Sequence, residues 1–295
     1  MTSARGEAAA PYPSLFTPHC GAVLRAGRHL LSLERPLIMG VVNVTPDSFS
    51  DGGRFGDAER AIAHARALVD EGADILDIGG ESTRPGAEPV TLEEERRRVL
   101  PVLEALAGGP VPVSVDTRTP ALMSAAIAAG AAMINDISAL EAPGALGIVA
   151  PSDAAICLMH KQGDPRTMQD DPVYGDVVRE VAEYLERRIE AAVAAGIARD
   201  RIVIDPGFGF GKTLEHNLAL LRALDRVASL GVPVLAGLSR KGMLGRLTGR
   251  SVEHRLHASV AAALIAVQKG ARIVRVHDVA ATRDALLVWQ AVASG

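Results

Sequence analysis

Residues 111–138 read VPVSVDTRTPALMSAAIAAGAAMINDIS. An apolar, β-branched run from Val111 to Val115 stops at Asp116; Thr119-Pro120 opens an Ala-rich stretch to Ala129; a second apolar run, Ala132 to Ile134, stops at Asn135-Asp136. Proline just inside a helix start is pre-set for the first helical position, and the Ala/Leu content favours helix over the residues that follow. A short, fully apolar run between turn signals reads as a strand covered on both faces, as in parallel sheets. The stretch is therefore one strand, one polar strand end, one helix and the next strand.

The same unit recurs in both directions. Strands are expected near Leu37–Val42, Asp74–Ile78, Val111–Val115, Ala132–Ile134, Ala155–Met159, Ile202–Ile204, Val232–Ala236 and Arg272–Val274. Helices are expected over Ala58–Glu71, Leu92–Leu106, Pro120–Ala129, Gly144–Pro151, Val173–Ala195, Leu214–Leu224, Val252–Lys269 and Asp278–Val292. Eight strand–helix pairs without a linker or low-complexity break predict an α/β fold, a (β/α)8 TIM barrel, rather than an open doubly wound sheet. A length of 295 residues fits such a barrel, typically about 250 residues plus insertions. A short N-terminal hairpin is expected around Ala26-Gly27, after a frayed tail over residues 1–14 whose deletion should leave activity intact; residues 15–295 form the single catalytic domain.

Composition excludes several classes of function. No run approaches the roughly 20 apolar residues of a membrane span. The small, polar start lacks the apolar segment of a secretory signal, which predicts a cytoplasmic protein. Cys20 and Cys157 lie far apart with no C-x-x-C spacing, against a disulfide framework or a zinc site. The formal charge is −4 without a basic run, so the footprint of a nucleic-acid binder is missing. Cations for an anionic substrate must be local.

In barrels of this kind the C-terminal strand ends converge on one mouth and carry the chemistry. Here those ends read Asn43, Asp77, Asp116, Asn135-Asp136, His160, Asp205, Ser239-Arg240-Lys241 and Arg275-Val276-His277. A lone strand-terminal Asp is more often a helix cap or turn residue, but polar groups after all eight apolar runs point to a site. Asp116, Asn135 and Asp205 offer the acceptors that a flat heterocycle with an amino-pyrimidinone edge requires, with Lys241 facing its carbonyl. Arg275 and His277 follow the eighth strand at the start of the last helix, where barrels often bind phosphate; that end suits a diphosphate.

These residues lie within longer motifs. Asn43 to Gly53, NVTPDSFSDGG, is similar to the first signature of the dihydropteroate synthases, and Asp77 to Gly86, DIGGESTRPG, is similar to the second. Ser114 to Thr117, Ile134 to Asp136, Met159-His160 through Met168-Gln169, Asp205 to Phe210, Ser239 to Lys241 and Arg275 to Asp278 match the family in order, so the resemblance runs from about Leu37 to the end. It implies an enzyme of folate biosynthesis that joins 6-hydroxymethyl-7,8-dihydropterin diphosphate to p-aminobenzoate, a target of sulfonamides and usually a homodimer. Carried over by position, Asp116, Asn135, Asp205 and Lys241 hold the pterin, Arg275 packs on its ring, and Asp77 belongs to the same pocket. Arg275 and His277 also hold the pyrophosphate, and Asn43 is a ligand to Mg²⁺. The loops with Asp47, Phe49 and Asp51 and with Thr83, Arg84 and Pro85 close over the site and complete the p-aminobenzoate pocket. Asp116, Lys241, Asp51 and Arg84 are the expected catalytic residues. One departure stands out: Gly242 follows Ser-Arg-Lys, where much of the family carries a side chain able to reach the p-aminobenzoate carboxylate.

Other features have plainer readings. Gly207 to Thr213, GFGFGKT, resembles a nucleotide P-loop but fails its spacing, because the first glycine would have to be Pro206. Lys212 is then either a phosphate contact or a solvated side chain, and Phe208 and Phe210 either line the site or pack in the core. His64, His216, His254 and His257 fall on predicted helices as surface or packing residues, and Glu93 to Arg98 reads as a solvated helical face. The rival functions are a pterin-binding methyltransferase domain, which needs no diphosphate clamp, and a silent pterin-binding paralogue, which would lose Asn43, Asp116, Lys241 or Arg84.

Overall fold

A computed structural model describes residues 23–44, 54–81, 90–163 and 167–293. Two hairpin strands come first, β1 (Val23–Ala26) and β2 (His29–Ser32), paired antiparallel from Val23↔Ser32 to Ala26↔His29. Eight parallel strands follow: β3 (Leu37–Asn43), β4 (Ile75–Gly79), β5 (Val113–Asp116), β6 (Met133–Asp136), β7 (Ala155–Met159), β8 (Ile202–Asp205), β9 (Val234–Ala236) and β10 (Ala271–Val276). They close into a barrel in the order β10-β3-β4-β5-β6-β7-β8-β9, so the expected (β/α)8 barrel with its hairpin is present.

The helices are α1 (Arg54–Glu71), α2 (Leu92–Leu106), α3 (Pro120–Ala128), α4 (Ala145–Val149), α5 (Val177–Ala194), α6 (Leu214–Arg222), α7 (Leu224–Ala228), α8 (Gly242–Thr248), α9 (Leu256–Gln268) and α10 (Val279–Ala293). Local chemistry sets several starts. Thr91 accepts a hydrogen bond from Glu94 N at the head of α2, and Asp176 accepts from Val178 N and Arg179 N at the head of α5. At α6, Thr213 and His216 form a reciprocal capping box, which is the structural use of that histidine.

Five details differ from the sequence reading. The stretch 214–224 continues past a break at Ala223 into α7. The segment 144–151 contains only the five residues of α4, and α5 starts at Val177 rather than at Val173. The additional helix α8 follows β9. The charged run on α2 is not wholly solvated: Glu95 is buried, packed against the position of Gly80, and Arg98 donates to the Gly80 carbonyl at 2.9 Å.

Strand alternation sorts the side chains into two environments. One set, including Ile38, Val42, Ile78, Val115, Ile134, Leu158, Ile204 and Val274, packs outward against the helices. The other set, Leu37, Met39, Ile75, Met133, Ala155, Cys157, Val203, Leu235 and Ile273, fills the barrel interior together with Leu24, Ala26 and Leu33 of the hairpin segment. The hairpin thus closes the N-terminal end. Continuing each strand by two residues from this apolar layer brings Asp77, Asn135, Asp205 and Arg275 onto the inner face at the other end. The lower interior is apolar and its upper layer is polar.

Candidate active site

The upper layer is tied together through one guanidinium. Arg275 Nε donates to Asp77 Oδ2 at 2.6 Å and Nη2 donates to Asp116 Oδ2 at 3.0 Å. Asn135 Nδ2 donates to the same Asp77 oxygen at 3.1 Å. Asp77 is fully buried in the middle of β4, below the strand end where the sequence placed it. Its Oδ1 and the neighbouring Ser114 Oγ, on residues in register across β4 and β5, are buried without a partner among the described residues.

Three groups converge on Gly237, just past β9. A Cβ there would stand 3.8 Å from Lys241 Nζ and 3.9 Å from both Asp205 Oδ2 and Arg275 Cβ, ordinary van der Waals distances that mark where the three groups meet. The Lys241 amino group donates to the Phe208 carbonyl and sits 4.8 Å from the centre of the Phe210 ring. Phe208 itself is fully buried among core side chains. The two phenylalanines therefore divide the roles left open by the sequence: Phe208 is core, and the half-buried Phe210 borders the site.

Burial dominates the electrostatics. It pushes the Asp116 carboxyl up to about 7 against the opposing pull of Arg275. Asp205 is raised by burial too, with Lys241 opposing. Lys241 is lowered by burial to about 8, with Asp205 opposing. For Arg275 burial works against the charge, but Asp77 and Asp116 outweigh it and hold the guanidinium firmly ionised. Opposed pairs of shifted groups inside a barrel mouth are what a site for acid–base or charge-stabilising work looks like.

The Ser239-Arg240-Lys241 turn is clasped to the strand beside it. Ser239 Oγ lies 3.0 Å from His277 Nδ1 and accepts from His277 N at 3.2 Å. Arg240 has φ +58, a left-handed conformation uncommon outside glycine, and its guanidinium pairs with Asp278 at 2.5 and 3.1 Å. The ion pair turns Arg240 away while the next residue, Lys241, enters the site. Gly242 opens α8, and a Cβ there would meet nothing within 4 Å.

Other predicted groups fall elsewhere. Asp136 points outward and accepts from Ser138 N at 2.7 Å and Leu140 N at 2.8 Å, an ordinary turn residue. Lys212 is neither a solvated side chain nor a mouth-facing phosphate contact: it is buried, and its amino group lies against Gly207 O, Phe210 O and His160 Nδ1 at 2.9, 3.0 and 3.0 Å. His64, His254 and His257 are exposed. Asn43 ends β3, half-buried, on the side that alternation from Met39 turns inward. Asp47, Phe49, Asp51, Thr83, Arg84 and Pro85, and the tail over 1–14, lie outside the described residues.

A family model described as "Pterin binding enzyme" matches residues 39–277, the barrel from β3 to just past β10. The dihydropteroate synthase of Neisseria meningitidis serogroup B is 56% identical over 277 residues, 92% of this chain and 97% of that protein. The chain belongs to the dihydropteroate synthase family. Two solved family members from Xanthomonas albilineans superpose closely. The one with 4-aminobenzoic acid has a TM-score of 0.88 at 56% identity, covering 93% of this chain and 99% of that one. The one with 7,8-dihydropteroate has a TM-score of 0.84 at 53% identity, covering 92% and 99%.

The sequence missed three parts of the site. The Phe208 carbonyl acts through backbone and leaves no side-chain signal. Gly237 stands where Lys241, Asp205 and Arg275 meet, and only its place after the seventh barrel strand could have marked it. Asp278 was visible in the Arg-Val-His-Asp motif, but its pairing with Arg240 depends on a left-handed turn that spacing does not reveal.

Proposed function

We propose that this chain is a transferase of folate biosynthesis that condenses 6-hydroxymethyl-7,8-dihydropterin diphosphate with p-aminobenzoate, giving 7,8-dihydropteroate and pyrophosphate. The observation that carries the reading is the convergence of Asp116, Asn135, Asp205, Lys241 and Arg275 on one barrel mouth. It is supported by family relatives at over half identity and by their structures with 4-aminobenzoic acid and 7,8-dihydropteroate.

In this reading the carboxylates of Asp116 and Asp205 and the amide of Asn135 accept from the amino-pyrimidinone edge, and Lys241 donates to its carbonyl. Arg275 lies along the ring and, with His277, faces the diphosphate. As pyrophosphate departs, positive charge spreads from the exocyclic carbon into the pterin. A carboxylate held in place beside the ring stabilises that charge without having to reorganise. Asp116 has that role, because Arg275 already fixes its carboxylate. The loops containing Phe49 and Asp51 and Thr83, Arg84 and Pro85 would exclude water until the arylamine attacks.

Mg²⁺ fits the residues present if it arrives with the diphosphate. No cluster of three or more His, Cys, Asp or Glu able to hold a metal occurs among the described residues. The ion commonly keeps several waters and binds through one or two protein groups plus substrate phosphates, and Asn43 offers one neutral oxygen at the mouth. When bound, Mg²⁺ would offset charge on the leaving pyrophosphate.

A homodimer is part of the same reading. Ile265 on α9 and Leu287, Val288 and Val292 on α10 expose apolar surface on neighbouring helices, a face suited to a second copy. No helix among the described residues is long and apolar enough to cross a membrane, and the buried free thiol of Cys157 accords with a cytoplasmic location.

Incubation of the purified chain with both substrates and Mg²⁺ tests the reaction. Dihydropteroate should form only when p-aminobenzoate is present; tight pterin binding without product would leave a silent paralogue instead.

A further inference from the structure

Lys212 occupies an unusual position for a lysine. Its amino group is almost fully buried and is surrounded by acceptors from two separate loops: Gly207 O at 2.9 Å and Phe210 O at 3.0 Å from its own, and His160 Nδ1 at 3.0 Å from the end of β7. These three, with His160 O further off at 3.5 Å, match the N–H groups of an ammonium. Burial lowers the amino group to about 7, with Asp205 opposing and Lys241 adding to the fall, so the protonated form belongs to neutral pH and below. His160 is suited to accept, since burial and then Lys212 itself hold its imidazole neutral, down to about 3. The ring is wedged edge-on against Tyr184 at 5.0 Å, so this acceptor is fixed in place.

The loop that Lys212 gathers could not stand so close to its neighbour with ordinary residues. Gly207 and Gly211 both have positive φ, and a Cβ on them would fall 1.9 Å from His160 O and 2.3 Å from Gln162 O. Backbone packed this tightly brings carbonyl groups together, and the Lys212 amino group supplies the hydrogen-bond donors that buried carbonyls need. The other side of the loop is the active site. Asp205 Oδ1 accepts from Gly207 N at 2.7 Å, the Phe208 carbonyl accepts from Lys241, and the Phe210 ring borders the same amino group.

We propose that Lys212 is a positioning residue for the condensation: by drawing the 207–211 loop onto His160, it sets the Phe208 carbonyl and Phe210 ring that hold Lys241 beside Asp205. The inference rests on the reading of Lys241 as a pterin contact. Lys212 touches no substrate in this account. It acts through Lys241, and small misplacement of such a group is costly, about tenfold or more in rate.

The test is a double-mutant cycle on the full chain, comparing wild type, Lys212→Met, Lys241→Met and the double variant by kcat/KM for the pterin diphosphate and by KM for p-aminobenzoate. Lys212→Met should lower kcat/KM for the pterin diphosphate about tenfold or more, with KM for p-aminobenzoate nearly unchanged; in the Lys241→Met background the same change should cost less than about twofold. An unchanged single variant overturns the proposal, as does an equal loss in both backgrounds, which would mark a purely structural lysine. Should Lys212→Met fail to fold, His160→Phe removes one acceptor and keeps a ring against Tyr184; its loss must likewise shrink beside Lys241→Met, and an undiminished loss overturns the proposal. If Lys241→Met alone matches wild type, the pterin role of Lys241 falls and this inference with it, an outcome distinct from a failure confined to Lys212.

Discussion

Asp77 and Asp116, on adjacent barrel strands, share the guanidinium of Arg275, which lies 2.6 Å from one carboxylate and 3.0 Å from the other. A fully buried acid and a second, largely buried one on one cation give that cation a structural role. Arg275→Met should cost about 3–5 kcal/mol of stability, the usual effect of removing one partner from a buried pair. Adding Asp77→Asn to that variant should restore part of the loss. Urea unfolding of the three proteins checks both statements, and a double variant no more stable than Arg275→Met would contradict the shared-cation account.

The shifted groups set a pH profile for kcat/KM, which reports the free enzyme. Asp116, raised to about 7, must be ionised to face a developing cation, and Lys241, lowered to about 8, must be protonated to donate. The profile should fall below pH about 7 and above pH about 8, with a narrow maximum between. For stability the sign of the Asp116 contribution is the reverse of an acid whose carboxyl is lowered on folding, because burial outweighs its pairing with Arg275. Its folded value lies above its ordinary 3.8, so burial of the charged form is a cost fully present above about 7 and removed as pH falls toward 3.8. A flat kcat/KM between pH 5.5 and 9 would contradict both assignments.

Gly242 begins α8 with open space around its missing side chain. Gly242→Ser should fold normally and gain a few tenths of a kcal/mol in helix propensity. If the p-aminobenzoate carboxylate reaches this helix start, the added hydroxyl should lower KM for p-aminobenzoate a few-fold, the worth of one hydrogen bond. Steady-state kinetics with KM for the pterin diphosphate as the control separates this effect from a general one.

Gly207 is limited by contact as well as by conformation. Gly207→Ala places a methyl group 1.9 Å from the His160 carbonyl at φ +68 and should prevent the loop from seating. Pterin binding measured by calorimetry should be lost even if circular dichroism shows the barrel intact; wild-type affinity would contradict the role given to this loop.

Much of this was legible in the residues. Parallel strands covered on both faces must be apolar, so all eight barrel strands were found, yet β5, β6 and β8 run one or two residues past their predicted ends because Asp116, Asp136 and Asp205 look like loop. The short α8 was missed because Gly242 and Gly245 argue against helix; a Cβ at Gly245 would lie 2.2 Å from the Arg255 guanidinium, so any larger residue there requires that side chain to move. Asp136 and Asp116 are alike in sequence, both strand-terminal, but β6 turns one outward to cap a turn while β5 turns the other into the mouth. Alternation distinguishes them only once the inner face is known. Burial of Lys212 and Glu95 was hidden for another reason: each is enclosed by a distant segment, and charge in a sequence reads as exposure.

The central claim is that a fixed Asp116 carboxylate stabilises the cation formed as pyrophosphate leaves. Pyrophosphate release from the pterin diphosphate, with and without p-aminobenzoate and Mg²⁺, should be followed on wild type beside Asp116→Asn, with pterin affinity measured on both. The account predicts release that requires both additions in wild type and falls about 100-fold or more in the variant, while pterin affinity changes far less. Turnover by Asp116→Asn near the wild-type rate would contradict it.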